Sequence, residues 1–224
     1  MEPFKDFFEL ATSAARAQAA QLVAPPIAHT IRVTRLGPDE AAHITRHWNM
    51  LANDNYNPNI NKWRDTPYIV GQIQTLARDN ISFGLWQSDN LIATNIINPK
   101  DWSFSEALAV FHIAGTPNRH PLQGHILKLA HAVNLQMAQQ RGDNKIIYMG
   151  AFSEGSVKQF EQGAIPLTTR ERNLMWQGES VQVSVNDVVT PDARHVPATA
   201  EIPLSIHSEY RALYARMFGR SYQP

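Results

Sequence analysis

The chain contains no cysteine. That excludes disulfides, thiolate metal centres and cysteine nucleophiles together. Neither sign of charge is in excess: Lys+Arg and Asp+Glu both number 20, and the pI is near 7.1. With no broad field of one sign, bulk charge gives no pointer to DNA, RNA or anionic lipid. Long apolar runs are lacking too, and none approaches the length that crosses a bilayer. Lys5, Asp6 and Glu9 interrupt the apolar residues at the start, so no signal-peptide core is expected there. These absences make a cytoplasmic protein with no membrane partner the expectation.

What is present suits a folded domain. The 224 residues are 43% hydrophobic and 18% charged, a balance that can bury a core. Residues 3–23 read as a helix with Phe4, Phe7, Phe8, Ala11 and Ala15 near one face, ended by Pro25-Pro26. That face either packs on the domain or meets a partner. Residues 29–36 alternate like a strand, and Gly37-Pro38-Asp39 leads into a helix reaching about Leu51. The asparagine-rich stretch 53–61 reads as a loop, and 67–79 as a second helix. Residues 81–87 and 91–98 flank Ser88-Asp89-Asn90 and form a β-hairpin.

Residues 106–115 (EALAVFHIAG) are the most apolar strand candidate and belong inside the sheet. A long helix then runs to about Arg141. Its stripe is Ile126, Leu129, Ala130, Val133 and Met137, and Gly142 stops it. Residues 145–151 form a strand. Ser153 caps a short helix closed by Gly163, and 174–177 and 181–185 are further strands. Residues 190–203 lack pattern, and 206–220 form a last helix with Tyr210, Tyr214 and Met217 on one face.

The strand–helix–strand passage favours parallel pairing, whereas the hairpin favours antiparallel. The expected fold is α/β (α+β): a mixed, mostly antiparallel central sheet with helices on both faces and extra terminal helices. The expected division is an N-terminal helix and linker (1–26), a central domain (27–180) and a C-terminal extension (181–224).

The chemistry is expected where the apolar strand turns into the long helix, from Ile113 to His125. A helix N-terminus offers unpaired N–H groups and a positive dipole end, which suit phosphate oxygens. Gly124 lets backbone approach a ligand closely. At this point the sequence resembles the GNAT superfamily of N-acetyltransferases, whose signature is Arg/Gln-x-x-Gly-x-Gly/Ala. The matching run is Arg119-His-Pro-Leu122-Gln-Gly124, with Leu122 where the first glycine is expected. Downstream, Phe160-Glu-Gln-Gly163-Ala164 is similar to the family's Tyr-x-x-x-Gly-Phe. The resemblance runs from about His29 to Gln177 by element order. In its worn motifs the chain is also similar to small GNAT-like proteins carried in phage genomes, some of them virion components.

The resemblance implies an acyl-CoA-dependent N-acyltransferase with acetyl-CoA as co-substrate and an amine, small or on a protein, as acceptor. It implies that backbone groups of Ile113 and Gly115 meet the pantetheine arm. It implies that amides from Arg119 through Leu122, Gln123 and Gly124 to His125, with the Arg119 side chain, hold the pyrophosphate. The attacking amine needs a base. Glu106, Leu108, Val110 and His112 share one strand face by the two-residue period, so Glu106 and His112 are the candidates, directly or through water. Phe160 replaces a tyrosine that often protonates the departing thiolate, and phenylalanine has no proton to give.

The competing expectation is a GNAT-like scaffold without turnover, serving as a binding or structural protein. Its terminal helices would meet a second copy or another chain. No metal site is expected. His43 and His47 are four apart on a helix but lack a His-Glu-x-x-His pattern. His120 and His125 bracket the turn. Trp63, Trp86 and Trp102 line a cleft or pack in the core.

Overall fold

The computed structural model describes residues 5–48, 66–76, 80–97, 107–116, 118–148, 165, 167–168, 170 and 181–185. Glu106, Trp63, Trp102, Phe160, the helix expected at 153–162, the strand at 174–177 and everything after 185 lie outside them.

Helix α1 spans Lys5–Ala19. Ala11, Ala15 and Ala19 are fully buried, and Phe7 and Phe8 pack against the same core. Small residues along this stripe let the helix sit close to the sheet. The proline pair does not serve as a linker: Pro25–His29 forms a short second helix, α2, with proline in its first turn, where a missing N–H costs nothing. Strand β1 is therefore shorter than expected, Ile31–Arg35.

Beyond it, α3 (Pro38–His43) gives way to a single π-helical turn, Ile44–Trp48, in place of a continuous helix. Glu40, three residues into α3, accepts the amide of Gly37 at 3.0 Å and so caps the helix start. Helix α4 is Thr66–Thr75. Strands β2 (Phe83–Gln87) and β3 (Asn90–Ile97) form the hairpin. Strand β4 (Ala107–Gly115), helix α5 (Ile126–Arg141) and strand β5 (Lys145–Tyr148) follow, and β6 is Val181–Ser184. At the end of α5, Gly142 takes φ +75°, and the amides of Gly142 and Asp143 return to the carbonyls of Gln139 and Ala138.

Among the described residues six strands lie in the order β1-β2-β3-β4-β5-β6. All pairs are antiparallel except β4–β5, which is parallel. The fold is mixed α+β with a mostly antiparallel sheet. Residues 181–184, grouped with the C-terminal extension by sequence, pair with β5. One face of the sheet carries α1 and α5, with Leu129, Val133 and Met137 fully buried. The other carries α3, the π turn and α4, around Ile44, Trp48, Ile69 and Trp86. Helix α1 also seals the outer edge of β1. Thr12 Oγ1 accepts the Val33 amide at 2.9 Å, and Arg16 Nε donates to the Ile31 carbonyl at 2.8 Å. An edge strand whose backbone is met this way cannot recruit another strand. No helix among the described residues is long and apolar enough to cross a membrane.

Candidate functional site

Strand β4 changes character halfway. Ala107–Val110 pair with β5 and are buried, whereas Phe111–Gly115 are partly exposed although β4 lies inside the sheet. The change coincides with a β-bulge: Ile97 stands opposite Val110 and Ile96 opposite His112, so β4 carries one extra residue. Past the bulge, Thr116 donates its amide to the Ile92 carbonyl at 2.8 Å. In an antiparallel ladder alternate residues face the partner. Ala114 therefore turns its backbone toward β3, and Ile113 and Gly115 turn theirs away from it. Among the described residues no group bonds to those outward N–H and C=O groups.

The bulge also corrects the expected strand face. An extra residue inverts the alternation, so a two-residue count across it fails. Leu108 and Val110 point to the α1/α5 face, while His112 stands beside Ile96 on the α3/α4 face. Desolvation of the ring lowers the His112 pKa to about 4. The imidazole is thus neutral at physiological pH, but a weaker base than an ordinary histidine. Glu106, the other candidate base, lies outside the described residues.

The turn from Thr116 to His125 meets the expectation in part. Gln123 donates its amide to the His120 carbonyl at 2.9 Å, and His125 to the Leu122 carbonyl at 3.0 Å. These two expected anion donors are spent on the turn itself. The amides of Leu122, Gly124, Ile126 and Lys128 meet no acceptor among the described residues. Leu122 is fully buried in the α1/α5 core, so it anchors the turn and its N–H, expected on the pyrophosphate, is enclosed by the protein. Gly124 takes φ +87°, a conformation open to glycine at little cost. Gly115 makes room for the first residue of α5: a Cβ there would lie 3.4 Å from Ile126 Cγ1. Arg119 is exposed. His120 is partly buried, its pKa lowered to about 4 by desolvation.

Beneath this region runs a buried polar chain that sequence reasoning missed. Asn95 Nδ2 donates to Asn134 Oδ1 at 2.7 Å, and Asn134 Nδ2 to the Tyr148 hydroxyl at 3.3 Å. The hydroxyl lies 2.7 Å from His131 Nδ1. If Tyr148 donates to Nδ1, one hydrogen serves both groups and only the Nε2 N–H is left over; the other tautomer strands two groups. Desolvation lowers the His131 pKa to about 4 and raises that of Tyr148. The chain ties β3, α5 and β5 together across β4, at the level where Val110 makes the last pair with Tyr148. A lone Asn95 in an apolar strand and an i, i+3 His131–Asn134 pair on a buried helix face were the available signals.

Among the described residues no three His, Asp or Glu side chains converge as metal ligands. His43 Nε2 instead accepts the Leu91 amide at 3.4 Å. Comparisons with protein-family models, curated proteins and solved structures give no match.

Proposed function

We propose that this chain is an acyl-CoA-dependent N-acyltransferase of GNAT type, moving an acetyl or similar acyl group to an amine. The observation that supports it most is the outward backbone of Ile113 and Gly115 on the partly exposed half of an interior strand. Extended backbone without a strand partner is an edge to which a linear chain of amides can add. The pantetheine arm is such a chain. The strand leads into a turn and a long helix, where the amides of Gly124, Ile126 and Lys128 meet no acceptor among the described residues and would be the donors to a pyrophosphate, and Arg119 adds a guanidinium. The extra donors expected of Gln123 and His125 are not part of this proposal.

The reaction joins the acyl carbon to the amine nitrogen and releases a thiol. The amine gives up one proton and the thiolate takes one. A bound acyl-CoA supplies the activated thioester. The chain orients it and offers His112, neutral at physiological pH, or Glu106 as acceptor of the amine proton, directly or through water.

Titration with acetyl-CoA, read by calorimetry and by the melting temperature, tests this. Saturable binding together with thioester cleavage in an amine panel is expected. No binding at millimolar ligand would end the proposal. Binding without cleavage would favour a scaffold that retains the ligand site, the reading to which Leu122 and the two occupied amides lend some weight.

A further inference from the structure

On the α3/α4 face, at the end of the sheet where β4 stops, four basic side chains converge. Arg32 on β1 lies over the indole of Trp86, its guanidinium carbon 4.3 Å from the ring centroid. The His43 ring stands edge-on to the same indole, with centroids 4.9 Å apart. The π turn brings His47 back beside His43, with ring centroids 4.4 Å apart. Arg46 is tied by Nε to the Ala42 carbonyl at 3.4 Å, which leaves its terminal N–H groups pointing elsewhere.

This cluster is built, not a chance scatter of surface charge. The Trp86 indole is held by a bond from Nε1 to Thr34 Oγ1 at 2.8 Å. The Leu91 amide donates to His43 Nε2, so the neutral ring carries its hydrogen on Nδ1. Stacking on the indole fixes the plane of the Arg32 fork and leaves its edge donors open.

Among the described residues the cluster is also unbalanced. Arg32 and Arg46 form no ion pair among the described residues. Glu40, the acid beneath them, has both oxygens engaged, by the Thr34 hydroxyl at 2.7 Å and the Gly37 amide at 3.0 Å. Asp39, one turn before His43, makes no ion pair with it. The cost shows in His43, whose pKa is lowered first by burial and then by the charges of His47, Arg46 and Arg32. Positive groups held together with no ion pair among the described residues are poised for an anion.

We propose that Arg32, His43, Arg46 and His47, arranged around Trp86, bind a phosphate ester. Two guanidinium forks and two imidazoles offer more N–H donors and more charge than a carboxylate can use, and a phosphate dianion matches both. The site shares no residue with the turn after β4: its side chains come from β1, β2, α3 and the π turn, whereas the turn joins β4 to α5. It therefore stands whether or not the acyltransferase reading does.

The test uses the full chain, with inorganic phosphate and phosphoserine as probes at constant ionic strength. Histidine side-chain NMR should show saturable shifts at His43 and His47. Arg32→Gln and His47→Asn both replace exposed residues. Each should weaken binding about tenfold while the melting temperature holds within a few degrees. Absence of saturable shifts at tens of millimolar phosphate would overturn the proposal. So would binding that survives both substitutions, or binding that is lost in Arg119→Gln, which would move the anion to the turn. Phosphoserine binding no better than inorganic phosphate would reject the ester and leave only a site for free phosphate.

Discussion

Ala107–Val110 and Phe111–Gly115 are consecutive stretches of one strand and are similarly apolar. The first is buried and pairs with β5, with Val110 also opposite Ile97 of β3, and the second pairs with β3 and is partly exposed. Hydropathy does not separate them, because a strand that lines a ligand cleft looks as apolar as one that fills a core. What separates them is one extra residue. The bulge at Phe111 turns the backbone of Ile113 and Gly115 outward and puts His112 on the opposite face from Leu108 and Val110.

The sharpest test of the difference is truncation in each half. Leu108→Ala removes a fully buried side chain and should cost about 2–5 kcal/mol in urea unfolding. Ile113→Ala, at a partly exposed position, should cost about 1 kcal/mol or less. Equal costs would erase the distinction.

A second comparison concerns the seam where the halves meet. His131 is buried, and its pKa falls from 6.5 in the unfolded chain to about 4 in the fold. Between these values the unfolded state binds more protons. Stability contributed by the neutral ring is therefore complete above about pH 6.5, declines as pH falls, and levels off below about pH 4. The loss should approach about 3 kcal/mol across that window. His131→Gln should lessen the slope between about pH 6.5 and 5 without abolishing it, because His112 and His120, also lowered to about 4 by desolvation, add slope of the same sign. An unchanged slope would show that His131 does not contribute.

Tyr148→Phe removes the hydroxyl shared by His131 and Asn134 and should cost about 1–3 kcal/mol by chemical denaturation. It should also loosen the junction and speed amide exchange in the second half of β4 more than in the first. Gly124→Ala should have the smallest effect on stability. A Cβ there meets nothing within 4 Å, so only the strain of φ +87° remains, about 1 kcal/mol. Its larger consequence, on the acyltransferase reading, is weaker acetyl-CoA binding by calorimetry.

Much of this fold was legible in the sequence because its signals are local. The hairpin around Ser88-Asp89, the α5 stripe and its glycine stop, and the parallel return to β5 all follow from periodicity and turn chemistry. The errors came from features with no local signature. A bulge is set by register with a neighbouring strand, so counting by twos misassigned His112. Whether the amides of Gln123 and His125 are available depends on how the turn closes, and residue types alone do not determine that. Asn95, Asn134, Tyr148 and His131 are scattered across three elements and become one chain only when those elements pack. Arg32, His43, Arg46 and His47 likewise converge through the β1–β2 pairing and a π turn where a plain helix was expected.

Amide hydrogen exchange along β4, with and without acetyl-CoA, tests the central claim most directly. Ile113 and Gly115 should exchange much faster than their neighbour Ala114, which faces β3, and should slow to a similar rate once ligand is bound. Ile113 and Gly115 amides as protected as Ala114 before any ligand is added would contradict the account, since the strand would have no outward edge to offer.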